Sequence, residues 1–239
     1  MLLLSVLPSI VLFFVVWKQD RIEKEPAKLL WKLFLFGLLT TVSASIIEIV
    51  AGDIILGFMN HNGMLYLIID NFLIVALSEE AGKYIVLKKI TWRNPAFNYT
   101  FDALVYSVTV SLGFATLENI LYLLENDFSI AIVRALFSVP GHVFFAIFMG
   151  YYYGLAKHAD AYGDERLSKK YLRKAFWIPV LLHGFFDLCL STEYGLFLLL
   201  FFIFDALLTT FAFIKLFKQS RIAAAIPEPE NHTDNNTVA

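Results

Sequence analysis

The sequence predicts an all-α membrane protein, a polytopic bundle of about seven transmembrane helices with its N-terminus outside and its C-terminus in the cytoplasm. Of the 239 residues, 59% are hydrophobic and 17% are charged, and the mean hydropathy is +0.67. This apolar share exceeds that of a soluble globular domain. Long apolar segments recur along the chain, and basic residues cluster in every second connection between them.

The apolar segments lie at 1–17, 29–51, 64–87, 101–124, 130–156, 175–191 and 194–216. A helix needs about 20 apolar residues to cross a membrane, so the first and sixth segments are short. The first lacks a basic leading region and a clear cleavage site, and we interpret it as a retained helix rather than a signal peptide. Pro8, Pro140 and Pro179 lie in or near these segments and predict kinks.

Basic residues predict the orientation. The connections after the first, third, fifth and seventh segments contain Lys and Arg, whereas the alternate connections, 52–63, 125–129 and 192–193, contain none. Connections rich in Lys and Arg stay in the cytoplasm. Arg134 does not fit this pattern, and we expect its side chain to snorkel towards the outer interface.

We expect one membrane domain over residues 1–222 and a disordered cytoplasmic tail over 223–239, because the tail is polar and has no apolar period. Cys189 is the only cysteine, so an internal disulfide is excluded. No soluble domain or glycine-rich phosphate loop is recognisable. The chemistry must therefore reside in the helices.

The stretch SEEAGKY at 78–84 places Glu79, Glu80 and Lys83 inside the third apolar segment. Each such charge costs about 2.5 to 3.5 kcal/mol at the centre of a spanning helix. Glu79 and Lys83 share a helix face, and Glu80 approaches Lys83 from three residues away. With one carboxylate neutralised by the lysine, the other remains available for proton transfer or metal binding. The alternative is a charge cluster at a helix end whose lysine reaches the interface.

The fourth and fifth segments carry further polar residues. Glu118 and Asn119 follow a run of small side chains in the fourth, and His142 lies in the fifth ahead of Gly150 and Gly154. Small residues at this spacing are typical of close helix packing, so we assign the glycines to packing. A single membrane histidine is more often a packing residue than a ligand, but a second histidine strengthens the ligand interpretation.

The sixth segment supplies that second histidine. His183 and Asp187 are four residues apart and share a helix face, so the carboxylate would bind a metal directly or orient the imidazole. A pair that only holds two helices together is the alternative. The candidate set of two imidazoles and three carboxylates, sufficient for a zinc-like site with an open water position, is Glu79, Glu80, Glu118, His142 and His183. The acidic residues interpreted as isolated packing or water-contact groups are Glu48, Asp70 and Asp205.

These motifs resemble those of a known family. In order along the chain they are EExxK at 79–83, FxxxEN at 114–119, His142 before a glycine-spaced helix, and HGxxD at 183–187. The pattern is similar to that of the PrsW family of bacterial intramembrane proteases, which is related to the CAAX-processing and bacteriocin-processing membrane proteases. The resemblance covers about residues 8–215 and includes Glu25 and Pro26.

The resemblance implies a multi-pass protease of the bacterial cell membrane. It would make the first cut in a single-pass membrane protein, an anti-sigma factor. No nucleic acid is expected among its partners. The family is described as metalloprotease, although a metal-free mechanism with glutamate-activated water has been argued for relatives. Those relatives carry EExxxR and FxxxH in place of EExxK and FxxxE. A histidine-ligand role therefore cannot be transferred to Glu118.

We predict that Glu79, or alternatively Glu80, activates water for attack on a peptide bond. His142, His183 and Glu80 would hold zinc or another divalent metal. The residues expected to support them are Lys83, Glu118, Asn119 and Asp187.

The main alternative function is a transporter or proton relay, because intramembrane Glu and His residues also mark such paths.

The predicted helix ends create a conflict of depth. They place Glu80 about 10 Å and His183 about 13 Å from the cytoplasmic ends of their helices, but Glu118 about 25 Å from the end of its own helix. On these boundaries Glu118 is too distant to share a site with the glutamates. Either the boundaries are wrong by several residues, or tilt closes the gap, or Glu118 has another role.

Overall fold

The computed structural model describes residues 2–56, 58–59, 63–125, 128–192 and 194–227 of the chain. Its helices are α1 (Leu2–Gln19), α2 (Ala27–Ala51), α3 (Met64–Ile68), α4 (Leu77–Thr91), α5 (Asp102–Glu125), α6 (Phe128–Leu136), α7 (Ser138–Ala161), α8 (Glu165–Ser191) and α9 (Gly195–Ile222). π-Helical segments extend α2 over Gly52–Leu56 and join α3 to α4 over Ile69–Ala76. These described ranges contain no strand, and the predicted all-α membrane bundle is confirmed.

Five helical stretches in the described part of the chain are long and apolar enough to cross a membrane. They are Ala27–Ile54, Asp102–Leu124, Ile132–Ala161, Glu165–Ser191 and Gly195–Ile222. The first and third predicted spans are also helical, but α1 is shorter and α3–α4 contains a π-helical segment and buried charges. The orientation of the bundle remains a prediction.

Two predicted spans have different boundaries in the structure. The fifth consists of two helices, α6 and α7, because Pro140 has no N–H to continue the helix and its ring conflicts with the preceding turn. The sixth is long rather than short: α8 begins at Glu165 instead of residue 175. Asp164 caps this helix, since its Oδ1 accepts a hydrogen bond from the Leu167 N–H at 2.9 Å.

Helix α5 forms the centre of the bundle. All of its residues up to 116 are buried, and it packs against α1, α2, α4 and α7. Helices α8 and α9 pack on α7 from the other side. The elements that carry the predicted site residues are therefore held around one central helix.

Glycines permit the closest helix contacts. A Cβ at Gly150 of α7 would lie 2.6 Å from the Ala103 carbonyl oxygen of α5, and a Cβ at Gly154 would lie 3.2 Å from the Ala103 Cβ. Gly113 of α5 faces the Phe34 carbonyl of α2 in a similar way. The packing role predicted for Gly150 and Gly154 is confirmed.

The first residues of the predicted tail contact the segment before α5. The Thr100 N–H donates to the Ala224 carbonyl at 3.0 Å, and the Ile226 N–H donates to the Asn98 carbonyl at 2.7 Å. Backbone groups of residues 224–226 thus find partners there. Residues 228–239 lie outside the described part of the chain.

Replacing Gly150 should destabilise the bundle. In Gly150→Ala the new methyl group meets backbone atoms of α5 that cannot rotate away, and overpacking of this kind costs about 1–3 kcal/mol. The midpoint of thermal unfolding in detergent should fall. Gly195→Ala is the matched control, because a Cβ there meets nothing within 4 Å. An unchanged midpoint for Gly150→Ala would show that the α5–α7 contact is looser than described.

Candidate active site

Four of the predicted site residues converge from three helices. Glu79 and Glu80 come from α4, His142 from α7 and His183 from α8. Each offers one ligand atom, and these four atoms all lie within 4.8 Å of one another. All four residues are buried. Residues that are up to 104 positions apart in the chain thus form one compact group.

Lys83 lies at the centre of this group. Its Nζ is 3.1 Å from Glu79 Oε2, 2.8 Å from Glu80 Oε1 and 3.2 Å from His142 Nδ1. An ammonium group has three N–H donors, so these three acceptors satisfy it completely. The ring of Phe114 faces the same ammonium group, with its centroid 3.9 Å away. The lysine is 1% exposed and does not snorkel to the interface.

His142 connects this group to Glu118. Its Nε2 lies 2.9 Å from Glu118 Oε2, while its Nδ1 faces Lys83. A carboxylate and an ammonium group in these positions require the imidazole proton on Nε2 and the lone pair on Nδ1. Glu118 therefore fixes the orientation of His142 and does not belong to the compact group itself.

His183 lies between two carboxylates. Its Nε2 is 3.0 Å from Asp187 Oδ2, and its Nδ1 is 3.1 Å from Glu80 Oε1. Both contacts are hydrogen bonds only if each nitrogen carries a proton or one carboxyl group is protonated. A transferable proton is thus shared among these three groups. The ring of Phe145 stacks on His183 at a centroid distance of 4.8 Å and fixes its plane.

Arg134 is a site residue that sequence reasoning missed. Its guanidinium lies 2.7 Å from Glu118 Oε2 and 3.7 Å from the ring centroid of Tyr122. The expectation that Arg134 snorkels to the outer interface is therefore wrong, because a buried carboxylate offers it an ion pair. The sequence signal was its position: it is a basic residue on the side of the membrane where other connections have none.

A cavity of about 540 Å³ opens onto the site. Glu79, His142 and His183 line it, whereas Glu80 is not among the described residues that do so. The other acidic and basic residues that line the described cavity wall are Glu48, Asp70, Glu118, Arg134 and Asp187. Glu48 and Asp70, interpreted from the sequence as isolated packing or water-contact groups, are thus part of the cavity wall. Glu48 accepts a hydrogen bond from Ser78 at 3.1 Å.

The side-chain contacts remove the conflict of depth, because Glu80 contacts His183 and Glu118 contacts His142; the observed helix ends differ from the predicted ones. Because α4 continues to Thr91, Glu80 lies about 16 Å from the end of its helix. His183 lies about 27 Å from the start of α8, and Glu118 about 24 Å from the start of α5. The predicted depths of Glu80 and His183 were wrong, and Glu118 reaches the site through His142.

Comparison with known proteins gives the same assignment as the motifs. A family model described as PrsW family intramembrane metalloprotease matches residues 25–214. The chain belongs to the PrsW family. It is a membrane endopeptidase and a multi-pass bacterial membrane protein, and the protease interpretation is favoured over the transporter alternative.

Curated relatives cover most of this PrsW-family chain. A protein named Protease PrsW from Clostridioides difficile strain 630 is 35% identical over 196 residues, which is 80% of this chain and 79% of that protein. The one from Geobacillus kaustophilus is 36% identical over 184 residues, covering 77% and 76%. The one from Bacillus subtilis strain 168 is 31% identical over 187 residues, covering 78% and 81%. No solved structure matches the chain.

The donor set of this PrsW-family site is suitable for a divalent metal ion. Two imidazoles and two carboxylates are the ligand types that zinc accepts. The ammonium group of Lys83, however, lies within hydrogen-bond distance of three of the four donors. A metal ion would therefore compete with Lys83 for these donors, so the site fits a metal only if the lysine moves aside.

Removing the Arg134 guanidinium should lower activity without changing the compact group. In Arg134→Gln, Glu118 loses its ion-pair partner and restrains His142 less firmly. Groups that orient a ligand in this way are worth about 10- to 100-fold. The expected result is a loss of this size in kcat for cleavage, with partial recovery in Arg134→Lys. Arg166→Gln, at an exposed arginine of α8, is the matched control. Equal activity of all three variants would exclude a positioning role.

Proposed function

We propose that this PrsW-family protease makes the first regulatory cut in a single-pass membrane protein, an anti-sigma factor, with Glu79 as the general base. The observation that carries the assignment of the base is that Glu79 belongs to the compact group and also lines the cavity. Glu80 lies behind it, between Lys83 and His183. Of the two glutamates, Glu79 is the one that water and substrate reach.

In this proposal Glu79 accepts a proton from a water molecule in the cavity as the water attacks the peptide carbonyl. Lys83 holds the Glu79 and Glu80 carboxylates in place through its two ion pairs. The proton shared by His183, Glu80 and Asp187 is available for the departing amine. Glu79 thus removes a proton from the attacking water, and the group of His183, Glu80 and Asp187 gives a proton to the departing amine. Peptide hydrolysis requires both transfers.

With the Lys83 ammonium moved aside, Glu80, His142 and His183 would hold zinc or another divalent cation. When bound, the ion would polarise the carbonyl and make the attacking water more acidic. Glu118 and Arg134 fix the proton of His142 on Nε2. The lone pair on Nδ1 therefore points into the compact group, at the place that the Lys83 ammonium occupies. In the metal-free alternative, the Lys83 ammonium supplies the positive charge at the same place.

The position of the cavity supports access from the outer side of the membrane. Its wall includes Glu48 near the end of α2 and Ser191 at the end of α8. These helix ends adjoin the connections that lack basic residues, which the charge pattern places outside the cell. A substrate with one membrane span and an extracytoplasmic segment can reach such an opening. The identification of that substrate as an anti-sigma factor comes from the family resemblance.

The proposal predicts which carboxylates and imidazoles are needed for cleavage. Glu79→Gln should lower cleavage of a co-expressed single-span anti-sigma factor by about 10²- to 10⁴-fold, the contribution of a general base. Separate variants Glu80→Gln, His142→Ala and His183→Ala should also lose cleavage while keeping normal expression. Asp205→Asn is the matched control, because it changes a membrane carboxylate that does not line the described cavity wall. Cleavage is measured by immunoblot of the substrate.

Full activity of Glu79→Gln would exclude it as the base. If the wild-type protein cuts no membrane substrate but proteoliposomes that contain it show a proton flux that depends on Glu79, the transporter function would replace the proposed one.

A further inference from the structure

A second cavity lies between α1 and α2, both of which pack against α5. Its volume is about 660 Å³. The apolar residues that line it include Ile10, Phe13, Leu30, Phe34 and Leu112. The described residues that line this cavity and those that line the active-site cavity are all different. We refer to this space as the α1–α2 cavity.

The described residues that line the α1–α2 cavity offer no unpaired hydroxyl group. Thr109 donates to the Val105 carbonyl at 2.6 Å, and Thr116 lies 2.6 Å from the Leu112 carbonyl and 2.8 Å from the Ser9 hydroxyl. Hydroxyls that are already paired do not favour a polar ligand. A flexible hydrocarbon chain satisfies such a wall, because it needs no hydrogen bond.

One end of the α1–α2 cavity is lined by charged and amphipathic side chains. They are Trp17, Lys24, Glu25 and Trp31. Tryptophan is enriched where a membrane meets water, so this end lies at the interface. The other basic residues of the same connection, all exposed, are Lys18, Arg21, Lys28 and Lys32. A cluster of this kind next to a spanning helix attracts anionic lipid head groups.

Glu25 does not oppose an anion at this end. It is 5% exposed and accepts a hydrogen bond from the Tyr106 hydroxyl through Oε2. Burial, with Asp102 nearby, raises the pKa of Glu25 to about 9, so the carboxyl group is neutral at pH 7. Glu25 is therefore paired with Tyr106 and Asp102, and Lys24 is the charged side chain among the described residues that line this end.

We propose that the α1–α2 cavity binds one acyl chain of an anionic phospholipid whose phosphate lies against Lys24. The chain fills the apolar space and the head group meets the basic connection. The Lys24 ammonium already lies near this mouth, 4.2 Å from the ring centroid of Trp17, and donates to the Trp17 and Asp20 carbonyls. This leaves its third N–H for a phosphate oxygen.

The two tryptophans of the cavity permit a direct test. The chain has four tryptophans, and a Trp92→Phe/Trp177→Phe background leaves only Trp17 and Trp31 as fluorophores. The full-length protein is reconstituted in phosphatidylcholine vesicles that contain a small fixed fraction of a lipid with brominated acyl chains. Bromine quenches only tryptophans that it contacts. Brominated phosphatidylglycerol should quench more strongly than brominated phosphatidylcholine at the same fraction.

Two kinds of variant test the contact with the lipid head group and the contact with the acyl chain separately. Lys24→Gln should lower the preference for phosphatidylglycerol by roughly fivefold, the value of one basic residue near an anionic surface. Lys89→Gln, at an exposed lysine of α4, should leave it unchanged. Ile10→Phe adds volume inside the cavity and should reduce quenching by both lipids, which keeps the test valid if Lys24→Gln does not fold.

Three results would overturn the proposal. Equal quenching by the two phospholipids would mean that the cavity holds ordinary boundary lipid. Equal losses in Lys24→Gln and Lys89→Gln would exclude Lys24 as the phosphate contact. Stronger quenching by a brominated fatty acid than by phosphatidylglycerol would assign the site to a carboxylate-headed chain.

Discussion

The ion pairs around Lys83 are the constraint on which the rest of the structure depends. Two carboxylates and an ammonium group within a membrane helix are stable only if each finds a partner. Glu79 and Glu80 reach Lys83 within α4, but its third donor needs His142 from α7. This contact ties α4 to α7 across α5, which packs against both helices, and the glycines of α7 allow α5 and α7 to approach closely.

The site combines two sets of contacts with different roles. Glu118 and Arg134 orient His142, while Asp187 and Glu80 hold His183 from both sides. The carboxylate of Glu118 therefore fixes the proton of His142 on Nε2, whereas His183 shares a proton with the two carboxyl groups beside it. Of the two glutamates in the compact group, Glu79 is the one that lines the cavity.

Local rules predicted much of this arrangement. The spacing of Glu79, Glu80 and Lys83 within one helix was enough to predict their pairing, because helix geometry decides which neighbours meet. The contact between Glu118 and Arg134 was not predictable in this way. It depends on the break before Pro140 that turns α6 into a separate helix. The predicted depth of His183 in its helix was wrong for a similar reason. The cap at Asp164 starts α8 within a polar segment, and a prediction from hydropathy does not count polar residues as part of a membrane helix.

The central claim is that Glu79 acts as the base beside three groups that hold a divalent ion. Elemental analysis of the purified proteins, with cleavage rates of the same preparations, tests it most directly. The wild-type protein should contain a stoichiometric divalent metal, and Glu79→Gln should keep the metal but lose cleavage. His183→Ala should lose both. A fully active wild-type protein without bound metal, or an unchanged metal content in His183→Ala, would contradict the account.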